Sequence, residues 1–334
     1  MPKKLKIGFI GSGGMAKAHS DPLSRRADVE IAAYCDVDRK RARPLAKQFN
    51  APVFKRPAEM FDAVALDAVY ICLPPFAHGA EFEAIARGIP FFIEKPINLN
   101  LKQAEDIAAA VARKKLITAA GYMNRYRRGV QTAKKVFADD PVIFSTGGWI
   151  GGTPRPQAAV GIWTWWVQKK KSGGQFLEQV THTVDLARFL CGDAVEVHAF
   201  AATGKNKDTA DKYDIEDAAV VNIKFASGAI ANLWASCSAN AGGGGVTLNA
   251  YAYGATAFFT GWDHALRLMR TGQDTIEIPG EPDIFAVEDD AFIKAVKTQN
   301  PAGIQSAYAD AVKTLAISVA ANKSMKTGRP VKLG

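Results

Sequence analysis

Four groups of residues have types and spacing suited to chemistry. The first is Gly11-Ser12-Gly13-Gly14-Met15-Ala16, a GxGxx(G/A) run that follows an apolar stretch and opens a helical pattern. In such a run Gly11 permits a tight turn and Gly13 lets the backbone approach a pyrophosphate. Ala16 keeps helix and strand close, and the helix N-terminus faces the phosphates. The second is Asp36, which ends the next apolar run 20 residues past Ala16, where a carboxylate accepts hydrogen bonds from ribose hydroxyls. It also repels a 2′-phosphate, so NAD is favoured over NADP, with Arg39 and Lys40 close enough to keep NADP open. The third is Glu94-Lys95-Pro96, an ammonium group at a strand end. The fourth is Glu178, His182 and Asp185 at i, i+4, i+7, which a continuous helix would place on one face.

These groups need elements to carry them. Apolar runs predict strands at Lys6–Ile10, Glu30–Cys35, Ala68–Cys72, Pro90–Ile93 and Ile117–Ala120, separated by helical patterns of which Leu101–Lys114 is clearest. That alternation predicts an α/β domain over residues 1–122: a doubly wound, mostly parallel sheet covered on both sides. Strand ends of an open α/β sheet face one crevice. Gly11–Met15, Asp36, Leu73-Pro74-Pro75-Phe76, Glu94-Lys95-Pro96 and Gly121-Tyr122-Met123-Asn124 therefore converge. Gly11, Ser12, Gly13, Gly14, Met15, Asp36, Leu73, Pro74, Phe76, Glu94 and Lys95 are candidate cofactor contacts, and Tyr122 and Asn124 are candidate substrate contacts.

The pattern changes over residues 123–334. A helix at Gln131–Phe137 precedes strands at Val142–Ile150, Val195–Ala202, Ala218–Phe225, Ala229–Ser236, Val246–Tyr253 and Thr256–Thr260. No crossover helices separate them, which predicts an α+β substrate-binding domain on a largely antiparallel open sheet. Gly242–Gly245 reads as a loop near the substrate, and helices return at Val287–Thr298 and Gln305–Lys323 before a basic tail. Gly173-Gly174 opens a helix in which Leu177, Val180, Val184 and Ala187 form the buried stripe. Glu178, His182 and Asp185 then make either a functional site or a solvated face. With one histidine among the three, a metal site is disfavoured. The dense run Trp163-Thr164-Trp165-Trp166 fits core or interface packing equally with a sugar-stacking wall. Arg125 and Arg155 are further candidates to meet an anionic substrate.

Composition narrows the function classes. The chain has 334 residues, 48% hydrophobic and 22% charged, with a net charge of +9. The basic residues are dispersed, which predicts a solvated surface and no nucleic-acid partner. No apolar stretch is long enough to span a membrane. The N-terminus runs straight into the first strand and leaves no room for a secretion signal, so a cytoplasmic protein is expected. Cys35, Cys72, Cys191 and Cys237 form no CxxC pair and read as reduced, structural thiols.

Glu94-Lys95-Pro96 at this place, after a GxGxxA turn and before the Gly121-Tyr122-Met123-Asn124-Arg125 strand end, resembles the Gfo/Idh/MocA family of oxidoreductases. The resemblance extends over essentially the whole chain and takes in Pro74, His78 and residues 172–192. It implies a catalytic Lys95, a cis Lys95–Pro96 bond, a cofactor contact at His78, and a homodimer or homotetramer formed through the second domain's sheet. The family usually has Asp, His and Asp where this chain has Glu178, His182 and Asp185. The glutamate keeps the charge and reaches one methylene further. The expected activity is hydride transfer between a nicotinamide cofactor and a sugar, polyol or cyclitol. Lys95 would bond the reacting oxygen, His182 would act as acid and base, Asp185 would orient the imidazole, and Glu178 would bind neighbouring hydroxyls, with Trp163 and Trp165 at the pocket rim. Rivals are a glycosidase-like enzyme with internally recycled NAD, a non-catalytic dinucleotide-binding regulator, and a reductase of non-sugar carbonyls.

Overall fold

The computed structural model describes residues 4–154 and 161–334; Arg155 lies outside them. Packing divides the chain into two units. The first comprises Met1–Met123 and Asp283–Val312, and the second Asn124–Pro282 and Lys313–Gly334.

In the first unit, β1 (Leu5–Ile10), β2 (Val29–Cys35), β3 (Val53–Phe54), β4 (Ala68–Ile71), β5 (Phe91–Ile93) and β6 (Thr118–Ala120) form one sheet in the order β3-β2-β1-β4-β5-β6. Every pairing is parallel. The strands are buried on both faces, with Ile7, Phe9, Tyr70 and Phe91 at 0% exposure, as a sheet covered on both sides requires. Chain order reverses between β1 and β4, the place where an open α/β sheet parts its loops for a ligand. The helix Leu101–Lys114 follows its predicted bounds: the Asn100 side chain accepts from Gln103 N, and the chain turns left-handed at Lys115.

The helix Ile284–Thr298 packs in this unit, against the helix Gly14–Ser24, and its Phe292 and Ile293 are fully buried in the sheet's core. Its place in the chain, after the second run of strands, predicts a helix of the second domain. Its apolar stripe shows that it packs on something, but periodicity cannot say on which core.

In the second unit, β7 (Phe144–Ile150), β8 (Ala194–Ala202), β9 (Ala218–Phe225), β10 (Ile230–Ser236), β11 (Gly245–Tyr251), β12 (Ala255–Thr260), β13 (Ala265–Arg270), β14 (Ile276–Ile278) and β15 (Val331–Lys332) build one sheet. Its order is β14-β13-β12-β11-β7-β10-β9-β8-β15. Among the described strands of this sheet, only β7 and β10 pair in parallel. One face carries the helices Arg128–Asp139 and Thr181–Cys191 and the later part of Tyr308–Thr327. There Val130, Phe137, Val184, Ala187 and Ile317 meet Val197, Val221, Leu233 and Leu248 in one core. The opposite face leaves Phe200, Val220 and Ile230 exposed. The Gly242–Gly245 loop joins β10 to β11.

Candidate active site

In the first unit the glycine turn fits a diphosphate for a backbone reason. Gly11 has φ +89°, and a Cβ there would lie 2.2 Å from the Cys72 carbonyl oxygen, so only glycine lets β1 turn this close to the end of β4. At Gly13 and Gly14 an added Cβ meets nothing within 4 Å. The space beside these two residues is open, as a ligand phosphate at the helix N-terminus needs. Asp36 is nearly buried, and its carboxylate already has structure around it. Oδ2 accepts from Ser12 N at 3.1 Å and Ser12 Oγ at 2.6 Å, while Oδ1 accepts from Asp38 N at 2.8 Å. The Asp36 carboxylate is thereby fixed to the glycine turn. The residues present fit a dinucleotide.

After β4, Leu73 and Pro74 lead into a 3₁₀ turn, Pro75–Ala77, that leaves Phe76 half exposed. His78, by contrast, is turned inward: Nδ1 lies 2.7 Å from Glu81 Oε1, and Nε2 lies 3.1 Å from the Pro96 carbonyl oxygen. With both ring nitrogens bonded within the protein, His78 braces the Glu94-Lys95-Pro96 segment. Burial opposes the charge on Glu81, but His78 and the Gly79 N–H outweigh it and hold the carboxyl below its usual range. The Lys95–Pro96 bond is cis. Lys95 is partly exposed, and Glu94 is buried beneath it. Tyr122 is buried at the end of β6.

The second unit holds the His182 group. Residues 175–191 do not form one helix. Gln175–Glu178 closes with Val180 N donating to Gln175 O, a widened turn, before Thr181–Cys191 resumes. Glu178 therefore ends one helix, while His182 and Asp185 lie on the next. His182 is 4% exposed and Asp185 1%, so these two do not form a solvated face. Asp185 is gripped by Arg125: Nε donates to Oδ2 at 2.7 Å and Nη2 to Oδ1 at 2.6 Å, and Thr314 Oγ1 donates to Oδ1 at 2.8 Å. Arg125, a sequence candidate for an anionic substrate, is 3% exposed and lies over the Phe189 ring. Asn124 accepts from Arg127 Nε at 2.7 Å, while its buried amide nitrogen has no hydrogen-bond partner among the described residues.

The tryptophan run packs. Trp166, Val167, Ala210, Ile215 and Cys237 form a small core, with Trp163 and Trp165 against it. The buried Trp166 donates its indole N–H to Glu178 Oε2 at 2.7 Å. The indole beside His182 is a different one. Trp262, 49% exposed in the turn after β12, stands edge-on to the imidazole at 5.9 Å and packs on Trp149 at 5.3 Å. Sequence reasoning missed both, although an exposed tryptophan in the Gly261-Trp262-Asp263 turn is a signal. The four cysteines are free thiols, and burial pushes Cys35, Cys191 and Cys237 up to about 12. Among the described residues no helix is long and apolar enough to cross a membrane.

Comparison with known proteins agrees with this architecture. Residues 5–122 match the Gfo/Idh/MocA oxidoreductase family, NAD-binding Rossmann fold, and residues 149–258 match the family's C-terminal domain. An inositol 2-dehydrogenase of Rhizobium meliloti (strain 1021) is 29% identical over 227 residues, covering 67% of this chain and 66% of that protein. A myo-inositol 2-dehydrogenase of Thermotoga maritima is 25% identical over 352 residues, covering 98% of each. The solved structure of a levoglucosan dehydrogenase with NADH and levoglucosan superposes with a TM-score of 0.87 at 20% identity, covering 99% of each chain. With its two family domains matched over more than half its length, a glycine turn open to a diphosphate and a parallel sheet reversing at β1 and β4, this chain belongs to the Gfo/Idh/MocA family of NAD-binding oxidoreductases.

Proposed function

We propose that this protein is an NAD-dependent dehydrogenase of a sugar, polyol or cyclitol. The observation that carries the reading is the buried His182 beside the half-exposed indole of Trp262. An apolar indole face suits the C–H face of a saturated ring, and an imidazole next to it suits the proton of a ring hydroxyl. The inositol dehydrogenases among its relatives support the same substrate class.

NAD, when bound, supplies the hydride acceptor. Gly11, Ser12, Gly13, Gly14, Met15 and the loop after β4, with Leu73, Pro74 and Phe76, would hold it. Asp36 would take the adenosine ribose hydroxyls and turn away a 2′-phosphate. His78 serves the cofactor indirectly by bracing the Pro96 carbonyl. Lys95 bonds the reacting oxygen and offsets the negative charge that grows there as the hydroxyl proton leaves. His182 accepts that proton in oxidation and returns it in reduction. Asp185, one turn further along the helix and anchored by Arg125, keeps that helix and its imidazole in place. Glu178, held by Trp166, bonds neighbouring hydroxyls, and Asn124 offers its unpartnered N–H to another. The exposed apolar face of the second unit's sheet is the candidate surface for a homodimer or homotetramer.

The test is an absorbance screen at the nicotinamide band with inositols, aldoses and deoxy-ketosugars, using NAD and NADP. Turnover with NAD on at least one ring polyol or sugar is expected. NADH binding without turnover on any of them would overturn the proposal in favour of a regulator or an enzyme with internally recycled NAD.

A further inference from the structure

His19 takes no part in the roles assigned so far, yet it is fully buried among ionisable groups. It sits on the helix Gly14–Ser24 that leaves the glycine turn. Its Nε2 lies 2.8 Å from Glu94 Oε1 and its Nδ1 2.8 Å from Asp289 Oδ1. A neutral imidazole has one donor and one acceptor nitrogen. Facing two carboxylate oxygens, the acceptor would set lone pair against lone pair, so a ring donating from both nitrogens satisfies the contacts. Phe92 and Phe285 wall the ring, at 4.8 and 5.5 Å between centroids.

The other groups facing this cluster are Tyr70 from β4, Cys72 just after it, and Glu288 beside Asp289 on the helix Ile284–Thr298. Glu288 is 1% exposed, and neither of its carboxylate oxygens has a hydrogen-bond partner among the described residues. One oxygen each of Glu94 and Glu288 and one nitrogen of His19 lie within 4.8 Å of one another. Carboxylates this close, removed from water, do not all ionise around a single cation. Glu288, which receives no N–H, is the one placed to carry the extra proton. Burial, reinforced by Glu94 and Asp289, pushes its carboxyl well above the usual range. Burial alone would lower the His19 ring, but Asp289 and Glu94 outweigh it and hold the imidazole well above its ordinary range.

Glu94 passes this order on to its neighbour. Its Oε2 accepts from Lys95 N at 3.1 Å, and Oε1 lies so close to Gly121 that a Cβ there would stand 2.9 Å from it. The Glu94-Lys95-Pro96 segment is thus held at both ends by buried histidines: His19 through the Glu94 carboxylate, and His78 through the Pro96 carbonyl.

We propose that His19 is a positioning residue for Lys95: a buried imidazolium that fixes Glu94, and through Glu94 the Lys95 backbone, with a neutral Glu288 closing the charge balance. The importance of the clamp for turnover rests on the reading of Lys95 as catalytic, whereas its protonation state does not.

The first test is ¹⁵N NMR of the protein labelled at histidine, with the His19 signals identified by their loss in His19→Gln. Both ring nitrogens of His19 should keep protonated shifts from pH 6 to beyond pH 8. One deprotonated nitrogen at pH 7.5, or a stoichiometric metal in the purified protein bound to this ring, would overturn the proposal. The titration itself is read on the unaltered chain. The second test is kinetic, with the substrate found by the screen above. His19→Gln should lower kcat at least tenfold and shift its pH profile, with KM and NADH affinity near those of the parent. If Lys95→Met is inactive while His19→Gln keeps its kcat, the clamp is wrong. If Lys95→Met itself keeps full turnover, the role of Lys95 is wrong, and the NMR titration still decides the state of His19.

Discussion

The two units carry their chemistry in different ways. In the first, the candidate ligand groups hang from strand ends, and much of the site is backbone: the turn at Gly11, the open space at Gly13 and Gly14, and the N–H groups that orient Asp36. In the second, the candidate groups are side chains on a buried helix, held by residues far away in sequence. Asp185 depends on Arg125, 60 residues before it, and on Thr314, 129 residues after it. The histidines show the same divide. His19 is buried between carboxylates that keep its proton, whereas His264 is buried against the Trp262 carbonyl, and burial pushes its imidazole down to about 4. Removal from water is common to both rings, so the partners decide the charge.

Substitutions can break this comparison, and the largest effect is expected at His182. His182→Ala should lower turnover by about 10²–10⁴-fold, the contribution of a positioned acid–base group, while a fluorescence titration still finds NADH bound. Unchanged turnover would mean that the second unit supplies shape alone. Next is the buried ion pair. Arg125→Met leaves Asp185 charged without its fork and should cost about 3–5 kcal/mol in urea unfolding. Adding Asp185→Leu should recover most of that loss, and a single variant as stable as the parent would refute the anchoring role.

A pair of glycine variants sharpens the contrast for the first unit. Gly13→Val projects into open space, so melting should hardly change. A bound diphosphate would meet that side chain, and NADH affinity should fall on the order of 100-fold, equivalent to about 3 kcal/mol of overlap. Gly11→Ala should instead destabilise the fold, because its Cβ strikes the Cys72 carbonyl. If both variants bind NADH normally, the turn is not the phosphate site.

The smallest effect concerns pH. The unfolded His264 ring takes a proton near 6.5 and the folded ring only near about 4. Its contribution to stability is therefore whole above pH 6.5 and is lost as pH falls toward 4, by up to about 3 kcal/mol. His264→Gln should flatten that part of the stability profile. An unchanged slope would show that other groups govern acid unfolding.

The same contrast explains what was legible in the sequence. The Gly11–Ala16 turn and the strand ends could be read because backbone geometry dictates residue type locally. The Glu178, His182 and Asp185 spacing could be read, but not the widened turn at Val180, which takes Glu178 off their helix. The roles of Arg125, Thr314 and Trp262 depend on contacts across the chain, to which a local pattern is blind. Of the strands of two or three residues, β5 and β6 could be read as continuous apolar runs, whereas β3, β14 and β15 are too short to show alternation. The last pairs with β8 where the sequence reads as a basic tail. β13 does alternate, with Leu266 and Leu268 inward, but Arg267 and Arg270 interrupt its apolar pattern.

The return of Asp283–Val312 to the first unit has a consequence for modularity. A fragment ending at residue 122 would contain every glycine-turn residue and Lys95, yet it would lack the helix that brings Asp289 to His19 and covers the sheet with Phe292 and Ile293. Neither unit can be excised with a single cut, so any exchange of the second unit between relatives, in the laboratory or in evolution, needs matched breakpoints at three places along the chain.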